Sequence, residues 1–238
     1  DSNGATFTGT GTTTISGNLT VTQGILTLNA FTTALAVNGS TSVGAGASTG
    51  AITMNSATGT KTFTGLLTIG ANGTWTNPAN EAITFQGGIT NSGTFTSGTG
   101  VHTFNTNAQA LTGTLAIPNV TVTGITLTNN NSLTVNTALS GTGGLTQAAG
   151  AILNLGGASA ITTLNASADP NTVNYTQAGA QTVKGITYHH LGLSGSGNKT
   201  LGAAAAINGN LAITGTAALV DAGFQVSGNA TGSLTMGA

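Results

Sequence analysis

The chain has 238 residues, of which 38% are hydrophobic and only 3% charged, with three Lys and no Arg against four acidic residues. A soluble domain averages about 25% charged residues, so arginine clusters for phosphate, steering fields and salt-bridge networks are excluded as organising themes. Nucleic acid is not expected as a partner, because a phosphate backbone calls for several cationic contacts and Lys61, Lys184 and Lys199 stand far apart.

Disorder goes with low hydrophobicity and high net charge, whereas this chain carries a formal net charge of -1 and regularly placed apolar residues. It is expected to fold. There is no cysteine, so no disulfide stabilises it. The chain opens at Asp1 without an initiator Met or a signal peptide, which suggests a mature product or a fragment of something longer. Its most apolar stretch, "GAAAAINGNLAITGTAALV", is broken by Gly, Asn and Thr, and membrane insertion is not expected.

Taken in chain order, the predicted elements are short strands. "NLTVT" (18–22) sends Leu19 and Val21 to one side and Thr20 and Thr22 to the other. "ILTLN" (25–29), with Leu26 and Leu28, is similar in texture, followed by the strands around Phe63, "LTIG" (67–70), "AITF" (82–85) and the strand around Phe104. Val, Ile, Leu and Phe inward with Thr outward suit a half-buried pleated surface. Gly, Thr and Asn are poor helix formers, and no 3.6-residue stripe emerges.

Residues 119–135, "NVTVTGITLTNNNSLTV", show how the strands are joined. Val120 and Val122 share one parity, whereas Leu127, Leu133 and Val135 share the other, and the switch falls at Gly124. A flat strand cannot change face, so the chain turns there, at a residue that tolerates a corner. Asn129, Asn130 and Asn131 mark a second corner, where amide side chains stack from coil to coil. Gly195 marks an equivalent corner in "LGLSGSGN" (191–198). The C-terminal region offers Leu211 and Ile213 as a further inward pair.

Internal repeats are uneven. "HTFNTNAQALTGTLAIPNVTVTG" (102–124) parallels "NTVNYTQAGAQTVKGITYHHLGLSG" (171–195), with Phe104 on Tyr175 and Gln109 on Gln181, at a spacing of about 71 residues. "ATFTG" (5–9) recurs as "KTFTG" (61–65), and Phe63 recurs at Phe104. Neither a linker nor a composition break divides the chain, so residues 1–238 form one domain, its clearest repeat pair being about 102–170 and 171–238. The fold expected is an all-β, right-handed parallel β-solenoid with short strands and Gly/Asn corners, of about ten coils that each rise about 4.8 Å.

The segment "GAQTVKGITYHHLGLSGSGNKTLGAAAAINGNLAI" (179–213) resembles the Gly/Thr/Asn-rich repeat units of large secreted bacterial surface proteins, adhesin-like chains of the filamentous-haemagglutinin type. The resemblance is strongest from about residue 100 onward. It implies a β-solenoid displayed outside the cell, in adhesion or fibre building, and brings no catalytic residue with it.

Candidate chemistry is sparse. His189 and His190 are adjacent, so on a strand they would point to opposite faces and not share one ion; a surface or corner role is expected. Asp1, Glu81, Asp169 and Asp221 show no clustering of the kind that acid–base catalysis needs, and they read as corner or end residues. No catalytic residue, cofactor or metal is expected. The "TFT" triplets at Phe7, Phe63 and Phe95, with Trp75 as a variant, read as inward rings between outward hydroxyls.

With open coil edges and almost no charge to keep copies apart, the function expected is that of an extracellular structural protein. Its partner would be itself, polymerised head to tail by strand pairing at the solenoid ends. The alternative is an adhesin or surface-layer module of a longer chain that binds surface glycans or another cell. Ice binding by threonine rows ranks below both, because matched rows would demand coils of near-constant length.

Overall fold

The computed structural model describes residues 4–9, 11–29, 31, 33–56, 58–229 and 231–237. Among them there are 34 strands and no helix, and every strand pairing is parallel. Each coil contributes three strands, one to each of three faces, and about 11 coils stack into a β-solenoid. The first coil consists of Ala5–Thr8, Thr12–Ile15 and Leu19–Val21. The last strands are Thr216–Val220, Val226–Gly228 and Leu234–Met236.

The first face runs from Ala5–Thr8 to Thr94–Thr96 and resumes with Thr114–Ala116, which lies beside that strand, as far as Leu234–Met236. The second runs from Thr12–Ile15 to Ala158–Ser159 and resumes at Gln181–Val183. The third runs from Leu19–Val21 to Thr163–Asn165 and is carried on to Thr187–Tyr188 by the bridge between Ala166 and Tyr188.

Coil length varies. Leu28 pairs with Met54, 26 residues on, whereas Leu111 pairs with Asn129, only 18 on. The corners absorb the difference, which leaves the strands in register. Gly124, at φ 68°, turns the chain between Asn119–Thr123 and Thr126–Asn129, and Gly195, at φ 78°, does the same between His190–Leu193 and Ser196–Leu201. A side chain at either would be strained in this left-handed region.

The interior is a column of apolar rungs. Phe63, Val120, Val122, Leu133 and Val135 are buried, as are Leu28, Phe104, Val21 and Ile213. Leu19, Leu26 and Leu211 are half-buried and lie in coils near the two ends, where fewer neighbours cover them. In the middle coils the column is aromatic. On the second face Phe63, Phe85 and Phe104 stack in register at 5.9 and 5.6 Å between ring centroids. On the first, Trp75 stacks on Phe95 at 6.4 Å.

The Phe63–Phe104 recurrence therefore spans two coils, with Phe85 between. The 71-residue repeat behaves differently. Its strands Val101–Asn105 and Gln109–Thr112 occupy the second and third faces, whereas their counterparts Thr172–Tyr175 and Gln181–Val183 occupy the first and second. The repeat is thus rotated by one face. Local chemistry survives the rotation: Gln109 Nε2 donates to the carbonyls of Phe85 (2.9 Å) and Asn105 (2.7 Å), and Gln181 Nε2 to those of Leu155 (2.8 Å) and Gly157 (2.9 Å).

Candidate functional site

Among the described residues the stack is bounded by two sets of strands, and a strand at a sheet edge offers backbone N–H and C=O groups for pairing. At one edge stand Ala5–Thr8, Thr12–Ile15 and Leu19–Val21; at the other, Thr216–Val220, Val226–Gly228 and Leu234–Met236. Leu234 pairs with Leu211 and Met236 with Ile213, so both continue inward columns of the core. Leu234 is 65% and Met236 67% exposed, against 2% for Leu191 two coils further in. A crevice of about 180 Å³, lined by Leu211, Val226 and Leu234 among others, opens beside them. Asp221 is the one charged residue among the described residues in the last coil.

Each face carries a registered row of outward hydroxyls. The first holds Thr6, Thr27, Thr53, Thr76 and Thr96. The second holds Thr62, Thr84, Thr103, Thr121 and Ser140, and the third Thr20, Ser42, Thr68, Thr90 and Thr112. Some rungs bond along the row: Thr76 Oγ1 to Thr53 Oγ1 at 3.2 Å, and Thr121 Oγ1 with Ser140 Oγ at 3.1 Å. The expectation that matched rows need coils of constant length is corrected here, since uneven corners leave the rows aligned.

The asparagine corner also differs from expectation. Asn129 ends the strand Thr126–Asn129 with its side chain buried, and its Nδ2 donates to Gln147 Oε1 (2.8 Å) and the Ile152 carbonyl (2.9 Å). Asn130 and Asn131 are exposed and bond backward, Asn130 Nδ2 to Thr112 Oγ1 (3.1 Å) and the Gly113 N–H to Asn131 Oδ1 (3.0 Å). The Asn129–Gln147 bond does join amides of adjacent coils, and a second such pair lies on the first face, where Asn174 Nδ2 donates to Asn154 Oδ1 at 2.9 Å.

The interior holds more polar chemistry than the composition suggested. Lys61 and Glu81, expected to be isolated, form an ion pair of 3.0 Å in which both side chains are about 1% exposed. Glu81 does sit at a corner, but its carboxylate turns inward onto the Ser56–Gly59 corner of the preceding coil. Asn77 braces that corner, its Nδ2 donating to the carbonyls of Glu81 (3.0 Å) and Ser97 (2.7 Å) while its Oδ1 accepts the Glu81 N–H (2.8 Å). Lys199 is also buried and donates to the carbonyls of Gln177 (2.6 Å) and Gly179 (3.0 Å), and burial pulls its pKa below the usual lysine value. Tyr175 and Tyr188 share a hydroxyl contact of 2.9 Å, and burial pushes both phenols up. Nothing in the one-dimensional pattern flags these inward polar groups, because each is answered by a group on another strand or corner of the stack.

His189 and His190 are not splayed to opposite faces. His190 opens the strand His190–Leu193 and His189 lies at the corner before it, so the rings meet edge to face at 4.2 Å. His189 Nε2 stands 3.2 Å from Asp169 Oδ1, and His190 Nδ1 accepts the Asn210 N–H at 2.9 Å. Desolvation, then the neighbouring His189, lowers the His190 pKa. Among the described residues no three His, Asp or Glu side chains converge on one point.

The fold defines the class, a three-faced parallel β-solenoid. Comparison with known protein families, with curated proteins and with solved structures gave no match.

Proposed function

We propose that this chain is an extracellular structural protein that polymerises head to tail into a fibre or cell-surface filament. The observation that supports the reading is an all-parallel stack of coils with only 3% charged residues, which a further parallel coil extends on the same terms. A second copy supplies what fits. Its Ala5, Thr6 and Phe7 have the same alternation as Leu234, Thr235 and Met236, all strands run parallel, and both segments belong to the first face. Stacking places Ala5 over Leu234 and Phe7 over Met236, which buries apolar groups at about 25 cal/mol per Å². A contact between unlike edges extends without closing. Secretion to the cell surface is supported by the likeness of residues 179–213 to adhesin-type repeats.

Electron microscopy and sedimentation of the purified chain test this. The wild type is expected to form filaments one solenoid wide whose length grows with concentration. Met236→Lys, which places a charge in the column, is expected to shorten them severalfold. Rods of single-chain length at every concentration would contradict the proposal. A second reading, in which the hydroxyl faces engage surface glycans, rests on the registered threonine rows; rods that bind immobilised glycans without lengthening would favour it.

A further inference from the structure

The corner that holds Lys61 and Glu81 has the geometry of a reaction site. Lys61 lies in the strand Thr60–Phe63, in register between Leu35 and Ile83 of the core. Its Nζ is held by the carbonyls of Ser56 (3.1 Å), Thr58 and Gly59 (3.2 Å) and faces Glu81 Oε2 at 3.0 Å. The two carboxylate oxygens are not equivalent. Oε1 accepts the Ser56 N–H at 2.5 Å, whereas buried Oε2 has no hydrogen-bond partner beyond the ammonium.

We propose that Lys61 and Glu81 condense into an intramolecular amide, Nζ to Cδ, a covalent staple between neighbouring coils in a chain that lacks cysteine. The ammonium passes one proton to Oε2 and the neutral amine attacks Cδ. The resulting oxyanion forms on Oε1, where the Ser56 N–H already points, as a backbone donor does in an oxyanion hole. A second proton from Nζ then moves to Oε2, the Cδ–Oε2 bond breaks, and one water leaves. Both hydrogens of that water come from Nζ and its oxygen from Glu81; the positive and negative charges cancel, and no oxidant or co-reactant is used.

Two effects drive the step. Folding holds the amine against the carboxyl, replacing a bimolecular encounter by a positioned one. Condensation also removes two charges from an apolar interior, where an ion pair carries a desolvation cost that its attraction only partly offsets. A dry corner then disfavours hydrolysis.

Intact-mass spectrometry of the unfolded wild-type chain decides the matter. The expected mass is lower than that of the sequence by one water, with proteolysis yielding a branched peptide that joins Lys61 to Glu81. Lys61→Met is expected to show the full mass. A wild type at full mass overturns the proposal, and so does a water loss that persists in Lys61→Met. Loss of one ammonia in place of water would overturn the assignment to Glu81.

Discussion

Replacing Phe85 by alanine is expected to remove about 3–5 kcal/mol of stability, as large-to-small changes of buried aromatics do. Phe85 is fully buried, and its ring meets those of Phe63, Trp75, Phe104 and His102 at centroid distances of 5.6 to 6.3 Å. Four aromatic contacts thus converge on one side chain, each worth a fraction of a kcal/mol or more beyond its area. A solenoid is coupled chiefly between neighbouring coils, so the damage should be local. Hydrogen exchange should show strong loss of protection across the strands from Thr60–Phe63 to Val101–Asn105, with little change beyond Gly144–Gln147. An effect below about 1 kcal/mol, or uniform loss along the chain, would contradict a packed aromatic column.

Stability should also fall between pH 7 and pH 4, by about 3 kcal/mol from His102 alone, since each tenfold change in proton affinity is worth about 1.4 kcal/mol. The ring is buried, stacked 5.9 Å from Phe85 and edge-on to Phe95. Its Nδ1–H donates to the Gly100 carbonyl at 3.0 Å, and Nε2 has no partner. Burial holds its pKa down from 6.5 to about 4, opposed in part by the Gly100 hydrogen bond. The sign follows from linkage. Between about 4 and 6.5 the unfolded chain binds a proton that the folded one refuses, so stability rises with pH in that window. The contribution is complete above pH 6.5 and lost as pH falls towards 4. His102→Phe, compared by denaturant titration at both pH values, should lose that share of the pH dependence; an unchanged dependence would show that His102 is not buried as the neutral ring.

The strands were legible because they obey a local rule. Leu–Thr–Val alternation declares which side chains go inward, and the parity switch at Gly124 declares a corner, whose positive φ the structure supplies. The three-strand phase was not legible. Corners absorb anything from an 18- to a 26-residue coil, so no constant period is left in the sequence. The strongest repeat spans a whole number of strands but not of coils, and its two copies lie on different faces. Lys61 and Glu81 escaped notice for the same reason, since their contact depends on register between coils and no local signal encodes it. Leu19, Leu26 and Leu211 share the inward alternation of Val21 and Ile213, but their lesser burial comes from the number of coils above or below them.

The proposed stacking of one copy on the next can be read by disulfide trapping, which is clean in a chain without cysteine. Thr6 and Thr235 point outward on the first face, and stacking of one copy on the next places them on adjacent strands. Strands about 4.8 Å apart fall within the Cα separation a disulfide accepts. A Thr6→Cys copy mixed with a Thr235→Cys copy under mild oxidation should give covalent dimers joining the two variants, with neither variant linking to itself. Failure of the mixed pair to cross-link, at concentrations where the copies associate, would contradict the head-to-tail solenoid.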